Sequence, residues 1–269
     1  MTAMQTVDGA AAVSCRDVVK VWGEGTPRAL VALDGVDLDV APGEFVVLLG
    51  PSGCGKSTLL HMIAGLQETT AGDIRSHGVA VQAPGPDRCL IFQESSLYPW
   101  LSVADNVSFG LRLKGVARKE RREVAGRLLR KVGLGEAMDK RPQELSGGMR
   151  QRAAIARALA MQPRVLLMDE PFAALDVQTR AKLQGYLLEA YRDSGASVVF
   201  VTHHIEEAVA LADRIVVFTA SPGQVKSIVP VDLPRPRDLR GPPFNALRDE
   251  LIELLRDEVD RAFLAQEQP

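Results

Sequence analysis

Residues 50–57, GPSGCGKS, have the composition and spacing of a loop that binds phosphate. Its three glycines permit a tight loop whose backbone N–H groups point inward at phosphate oxygens. Lys56 can reach the β- and γ-phosphates of a nucleotide, and the Ser57 hydroxyl can ligate Mg²⁺. A glycine-rich structural turn is the alternative, but an apolar run before the loop and a helical pattern after it favour the phosphate site. The candidate loop residues are Gly50, Pro51, Ser52, Gly53, Cys54, Gly55, Lys56, Ser57 and Thr58.

A pair of adjacent carboxylates ends a second apolar run, VLLMDE at 165–170. Asp169 is placed to hold Mg²⁺, usually through water. Glu170 is placed to polarise an attacking water as a general base. Two acids at this point could instead only cap the next helix, which becomes the minor alternative once a phosphate loop is present. The two segments match the Walker A and Walker B patterns.

A second segment suited to phosphate, LSGGMRQR at 145–152, contains no lysine. Ser146, Gly147 and Gly148 open a stretch with helical spacing, and the positive end of a helix favours an anion. One chain therefore has two phosphate-binding helix starts and only one phosphate-binding lysine.

The elements that must position these residues are short apolar strands separated by helices. Such strands predict a mostly parallel sheet covered on both faces, which binds its ligand at the carboxyl ends of the strands. The predicted strands are Phe45–Gly50, Cys89–Gln93, Val165–Glu170, Ser197–Thr202 and Arg214–Thr219, with helices at about 178–192 and 205–212.

Strand patterns disappear between Glu94 and Gln162, which predicts an all-helical insert. The run RKERRE within it is interpreted as a solvated helix face. The segment from Ser221 is rich in proline and glycine and predicts a loop or a sheet edge. Apolar residues then recur at helical spacing, which predicts a last helix packed on the core rather than a partner-binding helix. These residues are Phe244, Leu247, Leu251, Leu255 and Val259.

Composition excludes some classes of function. The net charge of −2 favours neither a nucleic-acid-binding nor a membrane-surface protein. Three cysteines without metal-type spacing fit a reducing compartment. No apolar run approaches the roughly 18–20 residues that cross a bilayer. The first residues lack the pattern of a secretory signal, and we expect residues 1–12 to form a flexible tail.

With these motifs in this order, the chain resembles the ATP-binding cassette (ABC) ATPases, whose signature sequence is LSGGMRQR. The resemblance covers about 13–230. It implies the α/β fold of P-loop NTPases: a RecA-like core at about 13–93 and 163–230, an antiparallel β region specific to the family, and an inserted helical subdomain at about 94–162. Residues 231–269 would then be a C-terminal extension with an amphipathic helix.

The resemblance also implies roles for residues that mean little alone. Gln93 is the Q-loop glutamine that joins Mg²⁺ and the attacking water, and His203 is the switch histidine near the γ-phosphate. Asp176, in FAALD, is the D-loop aspartate. Trp22 stacks on adenine, a contact worth about 1–3 kcal/mol per base. His204 stands where the family usually has an acid, and we expect activity to persist because His203 is present.

The family works as a head-to-tail pair of cassettes, which would explain the helix start without a lysine. Each ATP would lie between the Walker A loop of one copy and Ser146, Gly147 and Gly148 of the other. The resemblance thus implies a homodimer that ATP closes and hydrolysis releases, with ATP and Mg²⁺ as ligands.

A narrower likeness links this chain to the ATPases of nitrate, sulfonate and taurine importers, most clearly through GPDR before Gln93 and the Pro99–Trp100 pair after it. It implies the ATP-hydrolysing subunit of a bacterial importer at the cytoplasmic face of the inner membrane. Its partners would be separate integral membrane permease subunits and, indirectly, a periplasmic or lipid-anchored solute-binding protein, with no nucleic acid. The segment from Tyr98 to Leu101 would dock on the permease, although Trp100 could equally pack inside the subdomain.

Three alternatives remain: an exporter or lipoprotein-release ATPase, a soluble ABC ATPase not coupled to transport, and a P-loop kinase or GTPase. The last leaves the signature unexplained.

Overall fold

The computed structural model describes residues 11–173 and 175–266, which form two sheets and a set of inserted helices. The strands are β1 Val13–Trp22, β2 Leu30–Val40, β3 Phe45–Leu49, β4 Ala71–Ser76, β5 Val79–Ala80, β6 Arg88–Ile91, β7 Val165–Asp169, β8 Ser197–Thr202, β9 Arg214–Phe218 and β10 Val225–Pro230. The helices are α1 Lys56–Ala64, α2 Val103–Val107, α3 Phe109–Leu113, α4 Arg118–Lys131, α5 Gly147–Ala160, α6 Val177–Ser194, α7 Ile205–Leu211 and α8 Pro242–Gln266.

The larger sheet has six strands in the order β10-β9-β3-β8-β7-β6. The four pairings between β9 and β6 are parallel, whereas β10 runs antiparallel to β9 at one edge. Strands β3, β7 and β8 are buried along their whole length because helices cover both faces. The predicted α/β fold with a mostly parallel sheet is confirmed, and the proline-rich segment supplies its antiparallel edge strand.

The smaller sheet is antiparallel, in the order β2-β1-β4-β5. Its strands show weaker alternation, with register shifts in β1, which is why the sequence pattern does not delimit them. Ala12 is fully buried and its N–H donates to the Val40 carbonyl. Pairing in this sheet therefore includes Ala12, while residues 1–10 of the expected tail lie outside the described part.

Helices α2 to α5 pack on one another around a small core of their own. In α4 only Ala125, Gly126 and Leu129 are buried. The basic run at the start of α4 therefore faces solvent, as the charge pattern predicts.

Helix α8 packs on the larger core through its first turns. Phe244, Leu251 and Leu255 are buried beside strand residues such as Ile215, whereas Val259 is exposed. Of the helices in 11–173 and 175–266, none has the length and apolar character that a membrane span requires.

Candidate functional site

The loop between β3 and α1 is shaped by close backbone contacts. Gly55, at the N-terminus of α1, has φ 90°. A Cβ on Gly55 would lie 2.6 Å from the Ala32 carbonyl oxygen, so only glycine fits there. The loop therefore turns sharply into α1 and leaves the first N–H groups of that helix available to an anion.

Lys56 is almost completely buried, with 4% of its surface exposed. Its ammonium group donates hydrogen bonds to the carbonyl oxygens of Gly50 (2.9 Å) and Pro51 (2.7 Å). Cys54 Sγ lies 3.3 Å from the same nitrogen. The loop thus holds a cation at its centre, where an anionic ligand would compete for the lysine donors.

Ser57 and Asp169 meet at the end of β7, where the Ser57 hydroxyl donates to Asp169 Oδ1 at 2.7 Å. Burial raises the pKa of Asp169, although the Ser57 hydrogen bond and nearby His61 and Lys56 oppose this shift. Hydroxyl and carboxylate oxygens are ligands that suit Mg²⁺. The donor set therefore fits a magnesium ion bound beside the phosphate loop.

Glu170 lies beside His203, with 3.0 Å between Glu170 Oε1 and His203 Nδ1. The contact joins the end of β7 to the residue after β8, since these strands are neighbours in the sheet. Glu170 has φ 42°, a strained value for this residue, and its N–H donates to the Val201 carbonyl. The fold thus brings the side chains of Glu170, the candidate base, and His203, the candidate switch histidine, into contact.

His204 stacks against His203, with 4.1 Å between ring centroids. Burial lowers the pKa of His204, and the charges of His203 and Arg180 lower it further. His204, the neighbour of the candidate switch histidine, is therefore held toward its neutral form.

The loop after β8 is held by a buried polar network that the sequence does not reveal. The Thr202 hydroxyl donates to Glu207 Oε2 at 2.7 Å and accepts the His204 N–H at 3.0 Å. Arg180 lies 3.4 Å from the other oxygen of Glu207. This network fixes the backbone that presents His203.

His61 is a second residue that the sequence reasoning missed. Its Nε2 lies 3.8 Å from Asp169 Oδ2 and has no hydrogen-bond partner among the described residues. His61 follows Ser57 by four positions on α1, so the helical spacing alone places both on one face.

Gln93 is exposed and lies two residues beyond β6, at the same sheet edge as the end of β7. The backbone around it is held by α5: Gln151 donates to the Phe92 carbonyl at 3.4 Å, and Arg157 donates to the Ser96 carbonyl at 2.8 Å. The helix that starts at the signature is thereby tied to the loop that carries Gln93.

Trp22, at the end of β1, is 40% exposed, and Lys20 Nζ lies 4.6 Å from its ring centroid. The exposed ring rules out a core aromatic. Asp176 caps α6 by accepting the N–H groups of Gln178 and Thr179, and the Thr179 hydrogen bonds lower its pKa.

The signature residues face outward from the chain. Ser146 caps α5 by accepting the Met149 N–H at 3.3 Å, and both Ser146 and Gly147 are exposed. Gly148 packs near Leu175, where a Cβ would meet the leucine at 2.9 Å. In the described ranges no hydrogen bond or ion pair joins these residues to the phosphate loop of the same chain.

The Tyr98–Leu101 loop projects Trp100, which is 68% exposed, so the alternative that Trp100 packs inside the helices is wrong. Tyr98 lies against the rings of Trp100 and Phe109. Asn106, fully buried, accepts the Tyr98 N–H and donates to the carbonyls of Tyr98, Leu101 and Ser102. A loop held by several hydrogen bonds therefore presents an apolar side chain to solvent.

Comparisons with known proteins agree with this geometry. Residues 33–173 match the family described as "ABC transporter". The chain is 50% identical over 228 residues to an uncharacterised ABC transporter ATP-binding protein of Methanocaldococcus jannaschii, covering 85% of each chain. It is 49% identical to the taurine import ATP-binding protein TauB of Chromobacterium violaceum, covering 90% of this chain and 95% of TauB.

A solved structure with the same fold is the dimeric post-hydrolysis state of the ATP-binding cassette MJ0796, bound to ADP and Pi. It is 33% identical, with a TM-score of 0.74, over 81% of this chain and 98% of the cassette. The resemblance to ABC ATPases, including the taurine importer type, is thereby confirmed. The chain belongs to the ABC transporter family, as an ATP-binding subunit and an ATPase.

Proposed function

We propose that this chain energises a bacterial importer that takes up a small solute such as nitrate, a sulfonate or taurine. The observation that carries the importer assignment is the rigid, exposed Trp100 loop. An aromatic side chain that projects from the protein surface is a typical interface hot spot. The similarity to TauB supports a partner that imports a small solute such as taurine.

The phosphate loop, residues 50–58, would surround the phosphates of ATP with backbone N–H groups. Lys56 would exchange the Gly50 and Pro51 carbonyls for β- and γ-phosphate oxygens. Trp22 would stack on the adenine with its exposed ring.

Ser57, Asp169 and Gln93 would hold Mg²⁺, which supplies charge neutralisation at the phosphates when bound. Glu170 would accept the proton of the attacking water. His203, already in contact with Glu170, would bind the γ-phosphate and keep Glu170 aligned.

Two copies would complete each other's sites. The exposed helix start at Ser146–Gly148 would cap the phosphates held by the partner's Lys56, with Asp176 nearby at the junction. The dimeric state of the MJ0796 cassette supports this pairing.

ATP-driven closure would move the helical subdomain, about 94–162, relative to the core at about 13–93 and 163–230. The subdomain carries the Trp100 loop, so its motion would reach permease subunits at the cytoplasmic face of the membrane. A periplasmic or lipid-anchored binding protein would act on the far side.

The test is co-purification with the permease and uptake by vesicles that hold the assembled transporter. Trp100→Ala is expected to leave the ATPase activity of the isolated chain unchanged, to weaken permease co-purification, and to abolish uptake. Val79→Ala, an exposed apolar residue on β5, is the matched control. Full permease binding by Trp100→Ala would contradict this docking site.

Supplying nitrate, taurine or an alkanesulfonate outside vesicles that hold ATP inside identifies the solute that is taken up, and vesicles preloaded with the same compounds test for efflux. Outward movement driven by ATP would favour the exporter alternative, and ATPase activity that never pairs with a membrane subunit would favour a soluble ABC ATPase.

A further inference from the structure

The last helix, α8, is connected to the candidate nucleotide site by contacts with a short loop that lies between them. Glu258 on α8 has 2% of its surface exposed, although it carries a carboxylate. It accepts the Ala220 N–H at 2.9 Å and pairs with Lys226 at 2.7 Å. Burial raises the pKa of Glu258, but the Lys226 and Ala220 hydrogen bonds outweigh it, so the net shift is downward.

The segment that Glu258 holds, Thr219–Gln224, is the connection from β9 to β10, here named the bracing loop. It is closed by the Thr219 N–H, which donates to the Gln224 carbonyl. The Gln224 side chain also donates to Oδ2 of Asp34, near the middle of β2, at 2.8 Å. The bracing loop is therefore fixed at one side by α8 and at the other by β2.

The bracing loop contacts the phosphate loop at Gly223. A Cβ on Gly223 would lie 2.0 Å from the Cys54 carbonyl oxygen, so the two backbones are in direct contact. Gly223 also exchanges backbone hydrogen bonds with β2: its N–H donates to Ala32, and its carbonyl accepts from Asp34. The Ala32 carbonyl is the atom that confines Gly55. The phosphate loop thus rests on two backbone supports that are bonded to each other.

Helix α8 and the phosphate loop also share the walls of a cleft of about 390 Å³. Ser52 and Gly53 of the phosphate loop line it, as do Glu258 and Arg261 of α8. We infer that Glu258 is a positioning residue for ATP binding: through the bracing loop it holds the phosphate loop in the shape that receives phosphate. The inference rests on the proposed assignment of residues 50–58 as the phosphate site.

Substitutions at Glu258 separate the two hydrogen bonds that it accepts, from Ala220 and Lys226; a weaker ion pair joins it to Arg261 at 3.6 Å. Glu258→Leu removes both hydrogen bonds and leaves the half-buried Ala220 N–H without a partner. Glu258→Gln keeps an acceptor for Ala220 but loses the charge that pairs with Lys226. Glu253→Leu is the matched control, because Glu253 is exposed on the same helix and pairs with Arg256.

The measurement is the dissociation constant of a fluorescent ATP analogue with Mg²⁺, together with KM and kcat for ATP. Glu258→Leu is expected to raise the dissociation constant and KM at least about five-fold, the low end of couplings between distinct sites. The effect on kcat should be smaller because Glu170 and His203 stand on other elements. Glu258→Gln should restore most of the affinity, and Glu253→Leu should match the wild type.

If Glu258→Leu lowers Tm but binds the analogue like the wild type, Glu258 is only structural and the inference is wrong. Hydrogen exchange on the wild-type chain provides a second test that needs no variant: the analogue should raise protection of the Ala220 amide along with the phosphate loop. Unchanged Ala220 protection would also overturn the inference. Lys56→Ala separates the two proposals, because if it binds the analogue normally, the assignment of the phosphate loop itself fails.

Discussion

Asp169 combines two demands that conflict. It is buried, which raises its pKa, yet it must be ionised to bind a cation. Because the pKa of Asp169 is higher in the folded than in the unfolded chain, the free energy of unfolding falls as pH rises from the unfolded-state pKa to the folded-state pKa. At neutral pH Asp169 is ionised, and the full destabilisation is present. The ionised residue therefore lowers the stability of the folded chain, which its proposed role as a cation ligand would explain.

Asp169→Asn should reverse this balance. The amide keeps an acceptor for Ser57, removes the buried charge and places a donor toward the unpaired Nε2 of His61. We expect a higher Tm without nucleotide and an ATPase rate lower by about 10²–10³-fold. Thermal unfolding at pH 7 and a steady-state assay measure both.

A lower Tm for Asp169→Asn would contradict this account of Asp169. Asp176→Asn is the control. The pKa of Asp176 is lowered in the folded chain, so its ionised form is stabilising, and removing its charge should lower Tm.

His204 sets the charge next to the switch histidine. Its pKa is lowered by burial and by neighbouring cations, so it adds no charge beside His203 near pH 7. His204→Asp would add a negative charge there and favour protonated His203. We expect the histidine limb of the pH–rate profile to move to higher pH, while activity near neutrality persists.

His204→Asn is the neutral control for that variant, since it changes shape without adding charge. Superimposable profiles for His204→Asp and His204→Asn would show that the departure from the usual acid has no electrostatic consequence.

At the level of secondary-structure elements, Asn106 determines the shape of the Tyr98–Leu101 loop, which we propose contacts the permease. All of its side-chain bonds go to backbone groups between Tyr98 and Ser102, and it is fully buried. Asn106→Ala leaves the Tyr98 N–H without a partner and should lower the free energy of unfolding by about 1–3 kcal/mol. It should also weaken permease co-purification, as measured on the assembled transporter.

Trp100→Ala separates these two effects, because an exposed side chain contributes little to folding. It should weaken co-purification at unchanged Tm. An Asn106→Ala variant that binds the permease normally would show that the loop keeps its shape without this residue.

The sequence predicts the inner strands well and the edges poorly, for a physical reason. Strands buried on both faces are continuous apolar runs, so β8 matches its prediction at both ends and β3, β7 and β9 differ by one residue. The antiparallel sheet alternates only weakly, and its placement depends on long-range pairing.

The same limit applies to the candidate site. Motif residues that end strands or start helices, such as Lys56 and Glu170, are predictable because local spacing places them. The Glu207–Thr202 pair and the Glu258–Ala220 contact are not, since each depends on where a separate helix docks. Asp176 as a helix cap was predictable from an aspartate just before a helical pattern.

At the scale of the whole molecule, the chain presents two incomplete phosphate sites. The Walker A loop holds Lys56 and lies beside the proposed cation site, but it is open to solvent at Ser52 and Gly53. The signature helix start is exposed and has no bond to that loop within the described residues. In the proposed dimer, a second copy arranged head to tail would supply each site with what it lacks.

Glu170→Gln tests this arrangement. The amide keeps the contact distance to His203 but cannot take a proton, so hydrolysis should fall by about 10²–10⁴-fold. ATP should then stay bound and hold two copies together, which size-exclusion chromatography with ATP and Mg²⁺ would detect. Adding Ser146→Arg to Glu170→Gln should abolish the dimer without affecting ATP binding to the monomer, since Ser146 would meet only the partner's nucleotide.

Because an isolated ATPase can pair weakly, the same variants are compared in the complex with the permease, using cysteine crosslinking between Gly147 of one copy and Ser52 of the other. A crosslink that forms equally with and without ATP, or a Glu170→Gln chain that stays monomeric in both settings, would contradict sites shared between two copies.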